Sequence, residues 1–145
     1  STDELGAHAL DLIGEGDIMW THVTSPFVTS VSYDAIVARY QAALAEGYDS
    51  LMTTSVIHGF IWDEHGPLNY DRSVEKWPRT QTLPTLHEIN SAAFIAPAHV
   101  YRTQDDRIGL KPYKYGMEKI EGMDIDWPHD FQIAESMVLQ GIAAV

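Results

Sequence analysis

The chain has 145 residues, 45% hydrophobic, 10% aromatic and 21% charged: enough apolar material for one globular domain with a sizeable core, and too much for a disordered tail. Nine lysines and arginines face 21 aspartates and glutamates, and the resulting net charge of −12 argues against a nucleic-acid or anionic-membrane binder. There is no apolar run long enough for a membrane span, no signal-peptide pattern and no cysteine, so disulfides, thiolate metal sites and cysteine nucleophiles are excluded and a cytoplasmic protein is expected.

Residues 4–13 place Leu5, His8, Ala9, Leu12 and Ile13 on one helical face, with Ser1 and Glu4 at capping-box spacing and Gly14 and Gly16 as the stop. Asp17–Val23 reads as a buried strand that ends in Thr24-Ser25-Pro26, where proline cannot continue the pairing. Residues 31–45 carry the clearest helical stripe, Tyr33, Ile36, Val37, Tyr40 and Leu44, ended by Gly47. Residues 50–57 read as a second strand. A strand, a helix and a strand in this order predict a parallel sheet, whose ligands gather beyond the carboxyl ends of the strands, where the Thr24-Ser25-Pro26 loop lies.

Residues 58–89 lose the apolar period and read as an excursion with short strands near Phe60–Trp62 and Leu68–Tyr70, suited to packing on a second subunit. Residues 92–96 return as a core strand, followed by a short helix around Pro97–Arg102. Residues 107–116 form a basic aromatic loop running into a strand. A further strand is expected over 120–125. A last helix opens near Pro128, with Phe131, Ala134, Met137, Val138 and Ile142 as its buried face.

Charge is unevenly spread. Residues 1–71 hold one base, Arg39, against eleven acids; residues 72–119 hold eight bases against five acids; residues 120–145 hold five acids and no base. Either the central bases are solvated surface groups, or they line a site for an anionic small molecule with carboxylates nearby for a cation.

Three segments carry candidate chemistry. In a strand, Asp124 and Asp126 fall on one side with Ile125 on the other. Two such carboxylates repel unless a cation lies between them, and magnesium, which takes carboxylate and phosphate oxygens, suits the place. The alternative is that Asp126 caps the final helix and Asp124 is solvated. Arg79, between Pro78 and Pro84, sits on stiffened backbone suited to bidentate binding of a carboxylate or phosphate, or is a surface arginine in a proline-bounded loop. Lys111 and Lys114 alternate with Tyr113 and Tyr115 and either approach phosphate or belong to a half-exposed strand. His58 and His65 have no common ligand spacing, so zinc is not expected. No Gly-x-Ser-x-Gly elbow and no phosphate-cradling glycine loop occurs.

Four segments in order resemble the acylneuraminate cytidylyltransferases, the CMP-sialic acid synthetases. They are His22-Val23-Thr24-Ser25-Pro26-Phe27, Pro78-Arg79-Thr80-Gln81-Thr82-Leu83-Pro84, Asn90-Ser91-Ala92-Ala93-Phe94-Ile95, and Asp124-Ile125-Asp126 with an Asp-Phe-x-x-Ala-Glu run from Asp130. The resemblance implies a three-layer, Rossmann-like α/β fold with a mostly parallel sheet, of which the chain spans about the C-terminal two-thirds, without the opening βα unit and its nucleotide-binding loop. It implies a homodimer in which residues 58–90 cross to the neighbouring subunit. It also implies transfer of CMP from CTP to a sialic-acid-like 2-keto sugar acid with release of pyrophosphate. By matched position Asp124 and Asp126 would hold Mg2+, Arg79 would meet an anionic group, and Gln81, Asn90 and Phe94 would lie near the sugar with His22, Thr24 and Ser25. His22 stands where the family has Gln, Val28 where it has Arg, Ser91 where it has Gly, and Phe94 where it has Tyr. With the opening segment absent, this chain alone is expected to be inactive, and a non-catalytic sugar-acid binding or dimerisation module is the competing expectation.

Overall fold

A computed structural model describes residues 2–145, so the Ser1–Glu4 capping box lies outside the described residues. Four helices and six strands are formed: α1 (Thr2–Ile13), β1 (Asp17–Thr21), α2 (Ser30–Ala45), β2 (Ser50–Ile57), β3 (Trp62–Asp63), β4 (Gly66–Pro67), β5 (Leu86–Pro97), α3 (Ala98–Gln104), β6 (Pro112–Met117) and α4 (Pro128–Leu139). The protein is therefore mixed α/β. No described helix is long and apolar enough to cross a membrane.

The main sheet has the order β1-β5-β2-β6. β5 is antiparallel to both β1 and β2, and β2 is parallel to β6. This corrects the expected mostly parallel sheet. β1, β2 and β6 do point the same way, as a strand–helix–strand crossover requires, but the reversed β5 inserts between β1 and β2 and makes two of the three pairings antiparallel. One consequence places the candidate site. The loops after β1, β2 and β6 all leave from one end of the sheet, the end where β5 begins.

α2 lies on one face. Its Ile36 and Tyr40 are buried with Leu51, Ala93 and Ile95, and Tyr33, Val37 and Leu44 pack around them. Thr29 caps the helix by accepting the Ser32 N–H, and the Ser32 hydroxyl accepts the Thr29 N–H in return. On the other face Ile18 and Ala96 pack with Ala98, Val100 and Tyr101 of α3, and Leu10 of α1 closes the cluster. The α1 stripe is thus turned from the expected one: Leu10 packs inward while Leu5 and Leu12 are exposed. Arg102 fixes this orientation by donating to the Leu10 and Gly14 carbonyls at the open end of α1.

The excursion is organised by its own side chains. The β3–β4 hairpin turns at Asp63, whose carboxylate accepts the His65 and Gly66 N–H groups; β4 thus falls just before the strand expected at Leu68–Tyr70. Asn69, buried, accepts the Ile61 N–H and donates to the Gly59 carbonyl. Phe60 meets Tyr70 and Trp77 edge to face, at 5.1 and 5.5 Å between ring centres.

Two further expectations are corrected. Residues 120–125 form no strand: Gly122 N–H donates to the Glu118 carbonyl and Met123 N–H to that of Ile120, a tight turn followed by irregular chain. The turn is set by contact, since a Cβ on Gly122 would lie 2.8 Å from Asn90 Nδ2 and 3.1 Å from Ser55 Oγ. The expected buried face of α4 is not covered: only Ala134 is buried, and Phe131, Val138 and Ile142 are exposed. Apolar spacing records that a helix has a face to cover, not that its own chain covers it.

Candidate functional site

Sequence dictates a break in β5. Met52 pairs with Phe94 and Thr54 with Ile89, so β5 has extra residues between these positions. Ser91 takes up the slack at φ +59°, and the buried Asn90 accepts the Ala92 N–H through Oδ1 while its Nδ2 donates to Ser55 Oγ at 3.3 Å. Asn90 is thus engaged in holding the bulge, and Gly122 presses against its amide.

The loop after β1 meets the segment after β6. Ile125 N–H donates to the Thr24 carbonyl at 2.9 Å. On either side of this bond are two buried polar atoms without a hydrogen-bond partner, Ser25 Oγ and Asp124 Oδ1. Buried polar atoms are nearly always paired, and an orphaned carboxylate oxygen is costly unless a ligand or cation meets it. Asp126 is exposed and has no side-chain partner among the described residues. It does not cap α4. Asp130 does this instead, its Oδ2 accepting the N–H groups of Asp126 and Trp127 at 3.0 and 2.8 Å. Asp130 is therefore committed to the helix, which leaves both carboxylates of Asp124-Ile125-Asp126 available.

With no strand over 120–125, alternation no longer places Asp124 and Asp126 on one side; each still offers hard carboxylate oxygens of the kind Mg2+ takes, Asp124 through its orphaned Oδ1 and Asp126 from an exposed position. Among the described residues no three His, Asp or Glu side chains gather to form a fuller cage.

A second cluster lies on the sheet face opposite α2. Trp20 and Phe94 are cross-strand partners there. The Arg107 guanidinium lies over both rings, 5.3 Å from the Trp20 centre and 5.2 Å from that of Phe94. Its Nη1 donates to His22 Nε2 at 3.0 Å, and the His22 ring stands 6.3 Å from that of Phe94. Since a guanidinium can only donate, Nε2 of His22 is the acceptor and the imidazole proton is on Nδ1. Next to it, α1, Ile18, Trp20, Tyr101 and Arg107 line a cavity of about 60 Å³.

The structure thus joins His22 to Phe94 through Arg107, and Thr24 and Ser25 to Asp124 through the Ile125 bond. Arg79 and Gln81 stand apart. They are exposed, in the 3-10 turn Thr80–Thr82 and its cap, where Arg79 contributes only its carbonyl, to the N–H and hydroxyl of Thr82. No hydrogen bond or ion pair among the described residues ties either to the aspartates. Lys114, paired with Met52, is exposed, and Lys111 Nζ sits 5.1 Å over the Tyr48 ring. Arg107 is the residue that sequence reasoning passed over; the available signal was its place at the head of the basic aromatic stretch 107–116.

No protein-family model matches the chain, and comparison with curated proteins finds no match.

Proposed function

We propose that the chain belongs to a nucleotidyltransferase of the acylneuraminate cytidylyltransferase kind, with a Rossmann-like three-layer fold, working as a cytoplasmic homodimer. It would join a sialic-acid-like 2-keto sugar acid to CTP: the anomeric hydroxyl attacks the α-phosphorus and pyrophosphate leaves. The observation that carries the reading is the orphaned, buried Asp124 oxygen, in a segment tied by the Ile125–Thr24 bond to the loop that holds the equally unpartnered Ser25 hydroxyl.

In this reading Asp124 and Asp126 hold Mg2+, which when bound offsets phosphate charge. Ser25 and Thr24 form the floor of the sugar site and supply hydroxyl groups to it. Asn90 shapes that floor by fixing the bulge, with Phe94 as an apolar wall. Arg79 and Gln81, free on the excursion, reach the sugar acid of a neighbouring subunit. The test is pyrophosphate release from CTP and N-acetylneuraminic acid by the complete enzyme: Asp124→Asn and Asp126→Asn should each lower the rate at least about 100-fold. Near-wild-type rates in both would remove the assignment.

A second reading, a sugar-acid binding or dimerisation module without catalysis, is favoured by one observation: α4 leaves Phe131, Val138 and Ile142 exposed as an apolar face that a second subunit would cover. Binding of the sugar acid with neither CTP binding nor pyrophosphate release would select it.

A further inference from the structure

We propose that the cavity between α1 and the sheet is a pocket for a small neutral aromatic molecule, and that α1 is its hinged cover. The assignment is independent of the sugar-acid reading above.

The cavity follows from the residues that α1 turns toward the sheet. Gly6 and Ala9 line it from the helix side, and they are too small to fill the space above Ile18, Trp20 and Tyr101. Leu10 crosses the gap and packs on the cluster that holds Ile18 and Tyr101. What is left, about 60 Å³, has aliphatic walls and two aromatic rings. The polar groups on its lining are already engaged or solvated. The Tyr101 hydroxyl donates to the Ile18 carbonyl, Asp106 accepts the Arg107 N–H, Arg107 donates to His22, and Asp105 is exposed. Such a space stays dry and favours an apolar ring over a polar or charged ligand. A dry cavity of about 150 Å³ is known to hold one benzene ring, so a ring enters here only if α1 moves outward.

The helix is built for that movement. It leaves Leu5 and Leu12 exposed, so little apolar burial holds it down. Its connection to β1 is Gly14-Glu15-Gly16, with φ of +75° at Gly14 and +118° at Gly16. A Cβ at either would meet nothing within 4 Å, so these glycines serve conformation, not close packing. The Gly16 carbonyl accepts the Ala98 N–H at 2.7 Å, which fixes the sheet side of the hinge. The helix side is held from α3 by the exposed Arg102, which donates to the Leu10 and Gly14 carbonyls and is the latch. Exposed hydrogen bonds and sparse apolar contact mark a segment that opens locally, well below the free energy of global unfolding.

The experiment is hydrogen exchange of the chain with and without fluorobenzene, whose binding is followed by its 19F resonance. Without the probe, α1 should exchange at least about 100-fold faster than β5. Fluorobenzene should bind saturably at one site, and at ten times its Kd should slow α1 exchange about tenfold, because α1 closes over the ring. Ala9→Leu, which fills the cavity, should weaken the binding at least about tenfold. Ala9→Val, a smaller filler, is the readout if the leucine variant does not fold. Arg102→Met should quicken α1 exchange about fivefold or more. Exchange of α1 as slow as that of β5, or unchanged in Arg102→Met, overturns the hinged cover. Absence of saturable binding, or binding as tight in the cavity-filling variant as in wild type, overturns the pocket.

Discussion

The Thr53 hydroxyl and the Ala93 peptide close the gap that the bulge opens between β2 and β5. Thr53 Oγ1 accepts the Ala93 N–H at 2.9 Å and lies 3.2 Å from the Ala93 carbonyl, to which it donates, while Thr53 itself is fully buried. A side chain thus replaces a backbone partner at the point where the strand register shifts. Thr53→Val keeps the branched shape and removes the hydroxyl, and should cost about 1–3 kcal/mol in urea unfolding. Thr53→Ser should cost less than valine, because the bond survives. A larger loss in Thr53→Ser than in Thr53→Val would mean that packing, not the hydrogen bond, matters there.

Asp124 should trade stability for function. Its Oδ1 is buried without a partner, so ionised Asp124 is a burden on the ligand-free fold. Asp124→Asn removes the charge in nearly the same volume and should raise the unfolding free energy of the metal-free chain by on the order of 1 kcal/mol. A loss of stability would identify Asp124 as a structural group.

Stability should fall on the alkaline side. Burial pushes the Tyr101 phenol up to about 12 from 10, and burial with the nearby Asp17 carboxylate holds the Tyr40 phenol higher still. In both, the folded state favours the neutral form. Their contribution is therefore complete below pH 10, where the unfolded phenols begin to ionise, and is lost as pH rises through the folded value. For Tyr101 the window is pH 10 to 12, at about 1.4 kcal/mol per unit of separation. Unfolding measured across this range, with phenolate absorbance alongside, should show the decline, and Tyr101→Phe should flatten its part of it.

The α2–β2 unit was legible in the sequence because its signals are local. All five residues of the Tyr33–Leu44 stripe pack on the core. The place of β5 between β1 and β2 was not legible, because periodicity describes one strand's faces and says nothing of its neighbour. The strand expected at 120–125 failed for a related reason: Gly122 answers to Asn90 and Ser55, distant in sequence. For the site, the aspartates and the Thr24-Ser25 loop stood out by residue type, but the Ile125–Thr24 bond that joins them is a tertiary fact. Arg107 looked like one base among eight in its segment; what distinguishes it is its place over the Trp20 and Phe94 rings, which only the fold reveals.

The central claim, that Asp124 and Asp126 together hold a divalent cation, is tested most directly by titrating the chain with Mn2+ and following the free-ion signal by electron paramagnetic resonance. The account predicts one site per chain, displaced by Mg2+, and weakened at least about tenfold by Asp124→Asn and by Asp126→Asn, a typical scale for losing a charged oxygen ligand. Binding of the same strength and stoichiometry in both variants would contradict it.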